Sequence, residues 1–323
     1  MNSNKLISIV IPVYNEEKNI DRFKSELLDV LDSFGLNYEI ICVEDGSCRD
    51  DSWGALKRFQ QASPDRIRLF RHSRNFGMSG AYQTGFDNAK GEYVVVYASD
   101  LETPAKYIID VVGKLEEGFD VINTNRVGRW GKNGFRKIPS VAANSFISQI
   151  TGVRLKDNGS GLKGFKRFVA DHFNMHGEMH RFFAAYSGVF TNKIAEIDVE
   201  YNDRTYGKSA YGSLTRTFSV MLDLFTLKFM MSFSTKPFTM MPGRFFGTTG
   251  LIFSFFGSCA LTYLFVLKVF FGESIGSRPL LTIGVLLVVL GVQLVMTGLL
   301  GEILLRIYFD SRKARPYIVA EVL

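Results

Sequence analysis

Acidic and polar side chains follow three predicted strands within the first 105 residues of the sequence. The strands and the residues after them are Ile7–Val13 with Tyr14, Asn15 and Glu16; Tyr38–Val43 with Glu44, Asp45, Gly46 and Ser47; and Tyr93–Tyr97 with Ser99, Asp100, Leu101 and Glu102. In an open α/β sheet, ligands bind in the crevice beyond the carboxyl ends of the strands, because loops from neighbouring strands converge there. This layout predicts a site for a nucleotide diphosphate.

Carboxylates in two of these loops have the chemistry that such a ligand needs. Asp100 and Glu102 lie two residues apart, and together they suit a hard divalent cation that bridges the two phosphates of a nucleotide. Asp45 precedes Gly46, which permits a tight turn, so its carboxylate can accept hydrogen bonds from a base or a ribose. A plain Asp-Gly-Ser turn is the alternative for Asp45.

The elements that must position these loops alternate between strand and helix from residue 6 to about residue 125. The predicted strands are 6–13, 38–43, 67–71, 93–97 and 119–124, and the predicted helices are 16–34, 50–62, 78–89 and 104–117. Such alternation predicts a parallel sheet covered by helices. The strands are continuous apolar runs, as expected when both faces of a sheet are buried.

Two runs near the C-terminus, Phe245–Leu267 and Leu280–Gly301, contain no Asp, Glu, Lys or Arg and are 23 and 22 residues long. About 20 apolar residues span a bilayer as a helix, so both runs are predicted to be transmembrane. Their glycines allow close helix contact, which suits either a hairpin or an oligomer packed through the spans. Positive residues flank the pair more than they occupy the loop 268–279, which favours both ends in the cytoplasm.

Several segments around the spans complete the predicted organisation. Residues 128–137 are glycine-rich and basic, and we interpret them as a mobile loop over a phosphate-bearing site. Residues 213–231 have helical periodicity, which fits a core helix of the soluble part or, as we prefer, an interfacial helix on the membrane. Since Met1–Lys5 leads directly into a strand, the soluble part is expected to stay in the cytoplasm.

Composition limits the classes of partner. The net charge is +6, but Lys and Arg are spread widely and no recognised nucleic-acid motif occurs, so anionic lipid and phosphate groups are the expected partners rather than nucleic acid. Cys42, Cys48 and Cys259 lie in a strand, a loop and a predicted span without a CxxC pair, which argues against a disulfide framework and a thiolate metal site.

Six motifs occur in an order that resembles one family. They are IVIPVYNE (9–16), EDGS (44–47), RNFGMSGAYQTGF (74–86), SDLETP (99–104), GEMHRF (177–182) and DRTYGKSAYG (203–212). Their succession resembles the polyprenyl-phosphate glycosyltransferases of glycosyltransferase family 2, the group of dolichol-phosphate mannose synthase and the bactoprenol glucosyltransferases. The paired C-terminal spans look like the bactoprenol branch.

The resemblance implies a GT-A type fold that moves a sugar from a nucleotide-sugar, a UDP-sugar in preference to a GDP-sugar, to a lipid phosphate with inversion. It also implies roles for individual residues. The nucleotide is held by Pro12, Tyr14, Glu16 and Asp45; Mg²⁺ or Mn²⁺ is held by Asp100, to which the spacing of the residues themselves adds Glu102; and phosphates of the donor or acceptor are met by Arg126, Arg136, Ser140, Arg204 and Lys208. Of these, Asp100, Arg126, Arg204 and Lys208 are the predicted catalytic residues, and Arg136, Ser140, Arg204 and Lys208 are the predicted contacts of the acceptor phosphate.

The chain departs from the family at the metal motif. The family has Asp-x-Asp where this sequence has Ala98-Ser99-Asp100, so a methyl group replaces the first carboxylate. Glu102 stands where Gln is common in the family and could restore a carboxylate to the site. Three outcomes stay open: a metal held by Asp100, Glu102 and the diphosphate; weak metal affinity; or a protein that is no longer a transferase.

The sequence thus predicts four segments: a cytoplasmic GT-A domain (1–211), an amphipathic juxtamembrane segment (212–243), a two-helix transmembrane hairpin (244–309) and a cytoplasmic tail (310–323). The predicted function is an inverting glycosyltransferase of the plasma membrane that acts on polyprenyl phosphate, with undecaprenyl phosphate as the expected acceptor. The alternatives are a transferase with another acceptor, such as a diacylglycerol or a sugar chain, and a catalytically silent nucleotide-sugar-binding scaffold.

Overall fold

A computed structural model describes most of the chain, and its residues fall into two compact units, Met1–Lys228 and Phe229–Leu323. The described ranges are 5–128, 147–148, 152–173, 179–203, 205–206 and 242–312. Three predicted segments lie outside these ranges: the basic loop 128–137 except for residue 128, the amphipathic helix 213–231, and the tail from residue 313.

The first unit contains a mixed sheet whose strands come from the apolar runs of the sequence. The strands are β1 (Ile7–Val13), β2 (Tyr38–Glu44), β3 (Ile67–Arg71), β4 (Tyr93–Tyr97), β5 (Val121–Val127), β6 (Leu162–Lys166) and β7 (Ile194–Glu200). Their order in the sheet is β3-β2-β1-β4-β6-β5-β7. All residues of β1, β2 and β4 are buried, as continuous apolar runs predict.

Short helices cover this sheet. They are α1 (Glu17–Ile20), α2 (Asp29–Ser33), α3 (Ser52–Gln61), α4 (Met78–Asn88), α5 (Tyr107–Glu116), α6 (Arg167–His172) and α7 (Phe183–Tyr186). Helix α4 lies directly on β1, because a Cβ atom added at Gly85 would stand 2.1 Å from Val10 Cγ1. Helix α5 packs on β6 in the same way, with Gly164 leaving room for Val111.

The strand order places a topological switch point beside β1. Strands β1, β2 and β3 succeed one another in one direction, and the chain then returns to lay β4 on the other side of β1. Loops after β1 and β4 therefore leave the sheet in opposite directions and open a crevice between them, which is where open α/β sheets bind ligands. The loops that carry Glu16, Asp45 and Asp100 all lie at this edge.

Three features differ from the sequence predictions. The predicted helix 16–34 is divided into α1, a π-helical stretch (Lys24–Leu28) and α2, although its apolar face stays buried through Phe23 and Leu31. Strands β6 and β7 were not predicted. Because β6 runs antiparallel to both β4 and β5, the sheet is mixed and not wholly parallel.

The second unit is an antiparallel pair of long helices, α8 (Pro242–Phe271) and α9 (Pro279–Arg312). Both are long and apolar enough to cross a membrane. Glycines at seven-residue intervals face each other along the contact: Gly243 with Gly298, Gly250 with Gly291, and Gly257 with Gly284. A Cβ atom at Gly250 would lie 2.5 Å from the carbonyl oxygen of Gly291, so the two backbones touch. These glycines serve the hairpin itself.

Candidate active site

The loops after β1 and β2 are joined by hydrogen bonds to each other. Asn15 has a left-handed backbone with φ 56°, and its Oδ1 accepts hydrogen bonds from the backbone N–H groups of Cys48 and Arg49 at 3.2 and 3.0 Å. The Asn15 backbone N–H donates to Ser47 Oγ at 2.9 Å. Asparagine tolerates this conformation better than bulkier residues, and the result is a fixed rim on one side of the crevice.

The predicted nucleotide-binding residues of β1 and its loop lie along this rim. Pro12 is buried within β1, where it pairs with Val43, and Tyr14 is 40% exposed at the end of the strand. Glu16 Oε2 accepts a hydrogen bond from Asn19 Nδ2 at 2.5 Å, and the Glu16 backbone N–H donates to Ser52 Oγ at 2.9 Å. The exposed ring of Tyr14 is therefore accessible to a ligand, and Glu16 beside it is held in place by its hydrogen bonds to Asn19 and Ser52.

Asp45 is buried and binds groups of the protein itself. Its two carboxylate oxygens accept hydrogen bonds from the backbone N–H groups of Phe76 and Gly77, both at 2.9 Å. The His72 Nδ1 atom lies 2.7 Å from Asp45 Oδ1, and His72 Nε2 lies 2.9 Å from Thr84 Oγ1 on α4. The carboxylate thus holds the turn before α4 in place, a positioning role that the sequence did not reveal.

Gly46 brings the turn after β2 into direct contact with the turn before α4. Its φ is +67°, and a Cβ atom built on it would lie 2.4 Å from the carbonyl carbon of Arg74 and 2.6 Å from the nitrogen of Asn75. Only a residue without a side chain fits both the left-handed backbone and the close approach. The two turns therefore form one structural piece at the edge of the site.

The loop after β4 carries Asp100 and Glu102 around a strained residue. Leu101 has a left-handed backbone with φ 56° and a buried side chain, a conformation that is rare for a bulky residue and concentrates at functional sites. The Glu102 backbone N–H donates to Asp100 Oδ1 at 3.3 Å, and the Asn202 N–H donates to the Glu102 carbonyl at 2.8 Å. These bonds fix the loop that bears both carboxylates.

Arg126, at the end of β5, extends its guanidinium to this loop. Its Nη1 donates to Glu102 Oε2 at 3.1 Å. Its Nε and Nη2 donate to the two oxygens of Asp157 at 2.7 and 3.1 Å, and Nη2 also donates to the Gly159 carbonyl at 2.8 Å. The Arg126 side chain is only 5% exposed. The structure therefore places the charged side chains of Glu102, Arg126 and Asp157 together.

The residues present fit a divalent cation that completes its coordination with substrate oxygens. Within the described residues no three His, Cys, Asp or Glu side chains gather as a metal site. Mg²⁺, however, is usually held by one or two protein carboxylates together with substrate phosphates. Asp100 and Glu102 can supply those carboxylates. Ala98 adds no third carboxylate: it packs on Gly161, where a Cβ atom would lie 2.6 Å from the Ala98 methyl group.

A second group of buried charges lies behind Arg126. Lys163 on β6 is fully enclosed, and burial lowers its pKa to about 7, against the opposing effect of Asp157 and Glu196 and with a further lowering by Arg126. Its Nζ donates to the Ser160 carbonyl. Lys163 thus supports the turn 157–161 that also holds Arg126. A lysine within a short strand such as LKGFK gave no sequence signal for this position.

Four of the predicted site residues, Arg136, Ser140, Arg204 and Lys208, lie outside the residues that the structure describes. His180, from the GEMHRF motif, lies near α4: its Nδ1 is 3.0 Å from Ser79 Oγ. The structure thus brings together Asp100, Glu102 and Arg126, and it places Pro12, Tyr14, Glu16 and Asp45 on the adjacent rim.

Comparison with known proteins identifies relatives that match this chain over nearly its full length. The profile of the family described as Glycosyl transferase family 2 matches residues 8–182. The chain is 34% identical over 319 residues to dodecaprenyl-phosphate galacturonate synthase of Rhizobium johnstonii, covering 98% of this chain and 92% of the relative. It is 32% identical over 320 residues to undecaprenyl-phosphate 4-deoxy-4-formamido-L-arabinose transferase of Shewanella sediminis, with the same 98% and 92% covered.

A solved structure shares the fold. Glucosyl-3-phosphoglycerate synthase of Mycobacterium tuberculosis, in complex with Mn²⁺, uridine diphosphate and glucosyl-3-phosphoglycerate, matches with a TM-score of 0.52 at 19% identity, over 71% of this chain and 80% of that one. At this identity the match concerns the fold, and it confirms the predicted GT-A type architecture.

Proposed function

We propose a polyprenyl-phosphate glycosyltransferase activity, on the premise that this chain belongs to glycosyl transferase family 2. The observation that carries the proposal is the near-complete coverage of two relatives whose names both contain a polyprenyl phosphate. The carboxylate loop at the switch point and the two apolar helices agree with it. Undecaprenyl phosphate is the proposed acceptor and a UDP-sugar the proposed donor.

The donor occupies the crevice at the carboxyl edge of the sheet. Its nucleotide contacts Pro12, Tyr14 and Glu16, and Asp45 supports it through the turn before α4. Asp100 and Glu102 are the residues that would hold Mg²⁺ or Mn²⁺ when the nucleotide-sugar binds. When bound, the cation neutralises charge that develops on the departing nucleoside diphosphate.

The acceptor needs no strong general base. A lipid phosphate is already anionic at neutral pH, so its oxygen can form the new bond to the anomeric carbon while the bond from that carbon to the diphosphate breaks, with inversion. Positioning and charge stabilisation then supply the catalysis. Arg126 is the proposed cation nearest the carboxylate loop, and the remaining proposed phosphate contacts are Arg136, Ser140, Arg204 and Lys208.

The membrane is the proposed place of this reaction. In this proposal residues 1–211 form a cytoplasmic catalytic domain, 212–243 lie on the inner leaflet, 244–309 cross the plasma membrane twice and 310–323 return to the cytoplasm. A cysteine placed at Ser274, between α8 and α9, should then react with an impermeant maleimide only from outside the cell. Labelling only from the cytoplasmic side would reverse the orientation.

The test is transfer by the purified full-length protein in detergent. The protein is incubated with undecaprenyl phosphate and a panel of radiolabelled nucleotide-sugars, and the lipids are extracted. A labelled lipid that mild acid hydrolyses would identify the donor and the acceptor together. Label in a diacylglycerol or a sugar chain would show another acceptor, and nucleotide-sugar binding without any transfer would leave only the silent scaffold.

A further inference from the structure

The polar residue Gln293 lies on the side of α9 that points away from α8. Gly284, Gly291 and Gly298 mark the opposite side, where the backbone of α9 contacts α8. Gln293 follows Gly291 by two residues, and an α-helix turns by about 100° per residue, so its side chain projects about 200° away from that contact. Gln293 is exposed. The hairpin thus carries an amide on its outer surface.

Gln293 also lies near the middle of the apolar span. The span covers Pro279–Leu304, and at about 1.5 Å per residue Gln293 is about 21 Å from its start and about 17 Å from its end. Lipid hydrocarbon offers no hydrogen bond at this depth, so an amide without a protein partner is strongly disfavoured there. A partner that supplies hydrogen bonds is therefore expected.

The hairpin itself does not supply them. Within the described residues the Gln293 amide forms no hydrogen bond; the bond at this position, from Thr297 Oγ1 to the Gln293 carbonyl oxygen at 2.8 Å, uses the backbone. Thr248 and Thr249 on α8, by contrast, donate to carbonyl oxygens of their own helix at 2.7 and 2.9 Å. The hydrogen bonds of the Gln293 amide must come from outside the hairpin.

The residues that share the direction of Gln293 form a face suited to another helix, called here the Gln293 face. They recur at alternating intervals of four and three residues, and all are exposed on the hairpin. They are Leu286, Leu290, Gln293, Thr297, Leu300 and Leu304. These intervals are the ones with which two helices pack side by side in a left-handed pair, in water and in membranes.

We propose that the Gln293 face is the contact between two copies of this chain in the membrane. Copies inserted in the same orientation place Gln293 at the same depth, so α9 of one copy can lie along α9 of the other. Glutamine carries both N–H donors and a carbonyl acceptor, so across a two-fold axis each amide donates to the other. A lipid tail can cover the face but offers the amide no hydrogen bond.

Association in a lipid bilayer tests this contact. Full-length protein labelled at its N-terminus with a donor or an acceptor fluorophore is reconstituted in vesicles of phosphatidylethanolamine and phosphatidylglycerol, and energy transfer is followed as the ratio of protein to lipid falls. Wild type should show association that is lost on dilution. Gln293→Leu should move the midpoint to about 5- to 30-fold higher protein, as expected for one polar contact between membrane helices. Gln293→Asn keeps an amide and should move it less.

Thr248→Val is the matched control. It also removes a polar group from an apolar span, but the Thr248 hydroxyl bonds within its own helix, to the Arg244 carbonyl oxygen. The variant should therefore associate with the midpoint of wild type.

Cysteine cross-linking locates the contact on α9. In a chain whose exposed Cys48 and Cys259 are replaced by serine, Leu300→Cys and Val292→Cys place thiols at positions of similar exposure, 59% and 54%. Leu300 lies on the Gln293 face, about two turns from Gln293, whereas Val292 lies about 100° away from it. Oxidation with copper phenanthroline should join two copies through residue 300 and not through residue 292.

Three results would overturn the contact: wild type that stays monomeric at every ratio of protein to lipid, Gln293→Leu that associates as tightly as wild type, or cross-linking at residue 292 in preference to residue 300. The first needs no variant, so it holds even if a substitution prevents folding. Association is measured without substrate, so the transfer assay judges the proposed function separately.

Discussion

Replacing Gly46 with alanine tests whether the turn after β2 and the turn before α4 act as one piece. The new Cβ atom would lie 2.4 Å from the Arg74 carbonyl carbon, whereas ordinary carbon contacts are about 3.5 Å apart or more. One turn must retreat by about 1 Å to restore such a contact. That movement stretches the bonds from Asp45 to the Phe76 and Gly77 N–H groups beyond hydrogen-bonding distance, since each is now 2.9 Å long.

The cost follows from these bonds. A hydrogen bond to a charged group contributes about 1.5 to 3 kcal/mol, so weakening two of them should cost about 3 kcal/mol in the free energy of unfolding. The left-handed backbone adds roughly 1 to 2 kcal/mol for any residue with a Cβ atom. Gly35→Ala isolates that second contribution, because Gly35 has φ +62° and no atom within 4 Å of its added Cβ.

Thermal unfolding of the full-length protein in detergent measures both variants. Gly46→Ala should melt about 6 to 12 °C below Gly35→Ala, given a shift of about 2 to 4 °C per kcal/mol for a domain of this size. Binding of UDP, measured by calorimetry below both melting temperatures, should weaken in Gly46→Ala only. Equal melting temperatures and equal UDP affinities in the two variants would refute the idea that the joined turns build the rim.

Three further predictions concern the metal loop, the buried lysine and the hairpin. Asp100→Asn should lower the rate of sugar transfer at least about 100-fold, on the scale of losing a major charge-stabilising group. The control Asp110→Asn, on the exposed face of α5, should keep the wild-type rate. If the two variants transfer sugar at similar rates, Asp100 does not belong to the site. Because burial lowers the pKa of Lys163 to about 7 from an ordinary 10.5, the unfolded chain binds more protons between these values and stability should rise with pH across that window. Lys163→Met should flatten this rise in melting temperature, and an unchanged slope would show that Lys163 is not its source. Gly250→Val should destabilise the hairpin by about 1 to 3 kcal/mol through overpacking. Gly247→Val should keep the melting temperature of wild type, because no atom lies within 4 Å of a Cβ atom added at Gly247. If both variants lose the same stability, the helices do not meet at Gly250.

The sequence predicted the first half of the sheet because β1, β2 and β4 are buried on both faces and so consist of continuous apolar residues. Strand β6 was not predicted because two of its five residues are lysines. Its Lys163 is buried only through tertiary structure, between β4 and β5. No local pattern distinguishes such a strand from a surface loop.

At the site, the loops could be predicted from the sequence, but the contacts between them could not. The position of Asp100 at the end of a strand was enough to predict a ligand edge, since strand ends in parallel sheets meet there. The partners of Asp45 lie within residues 72–77, on the turn after β3. The positioning role of Asp45 could therefore be recognised only from the folded structure. The pairing of Arg126 with Asp157 likewise joins segments 31 residues apart.

The place of β6 in the sheet also determines when the first unit can be completed during synthesis. Strands β1 to β4 pair among themselves and can assemble as soon as residue 97 has left the ribosome. Strand β5 follows soon after, but its neighbours are β6 and β7, so it must wait for about 40 further residues to emerge before it can pair. Pairing across such a separation is slow. The nucleotide rim can therefore form early, while Arg126 reaches the metal loop only after the second part of the sheet has closed.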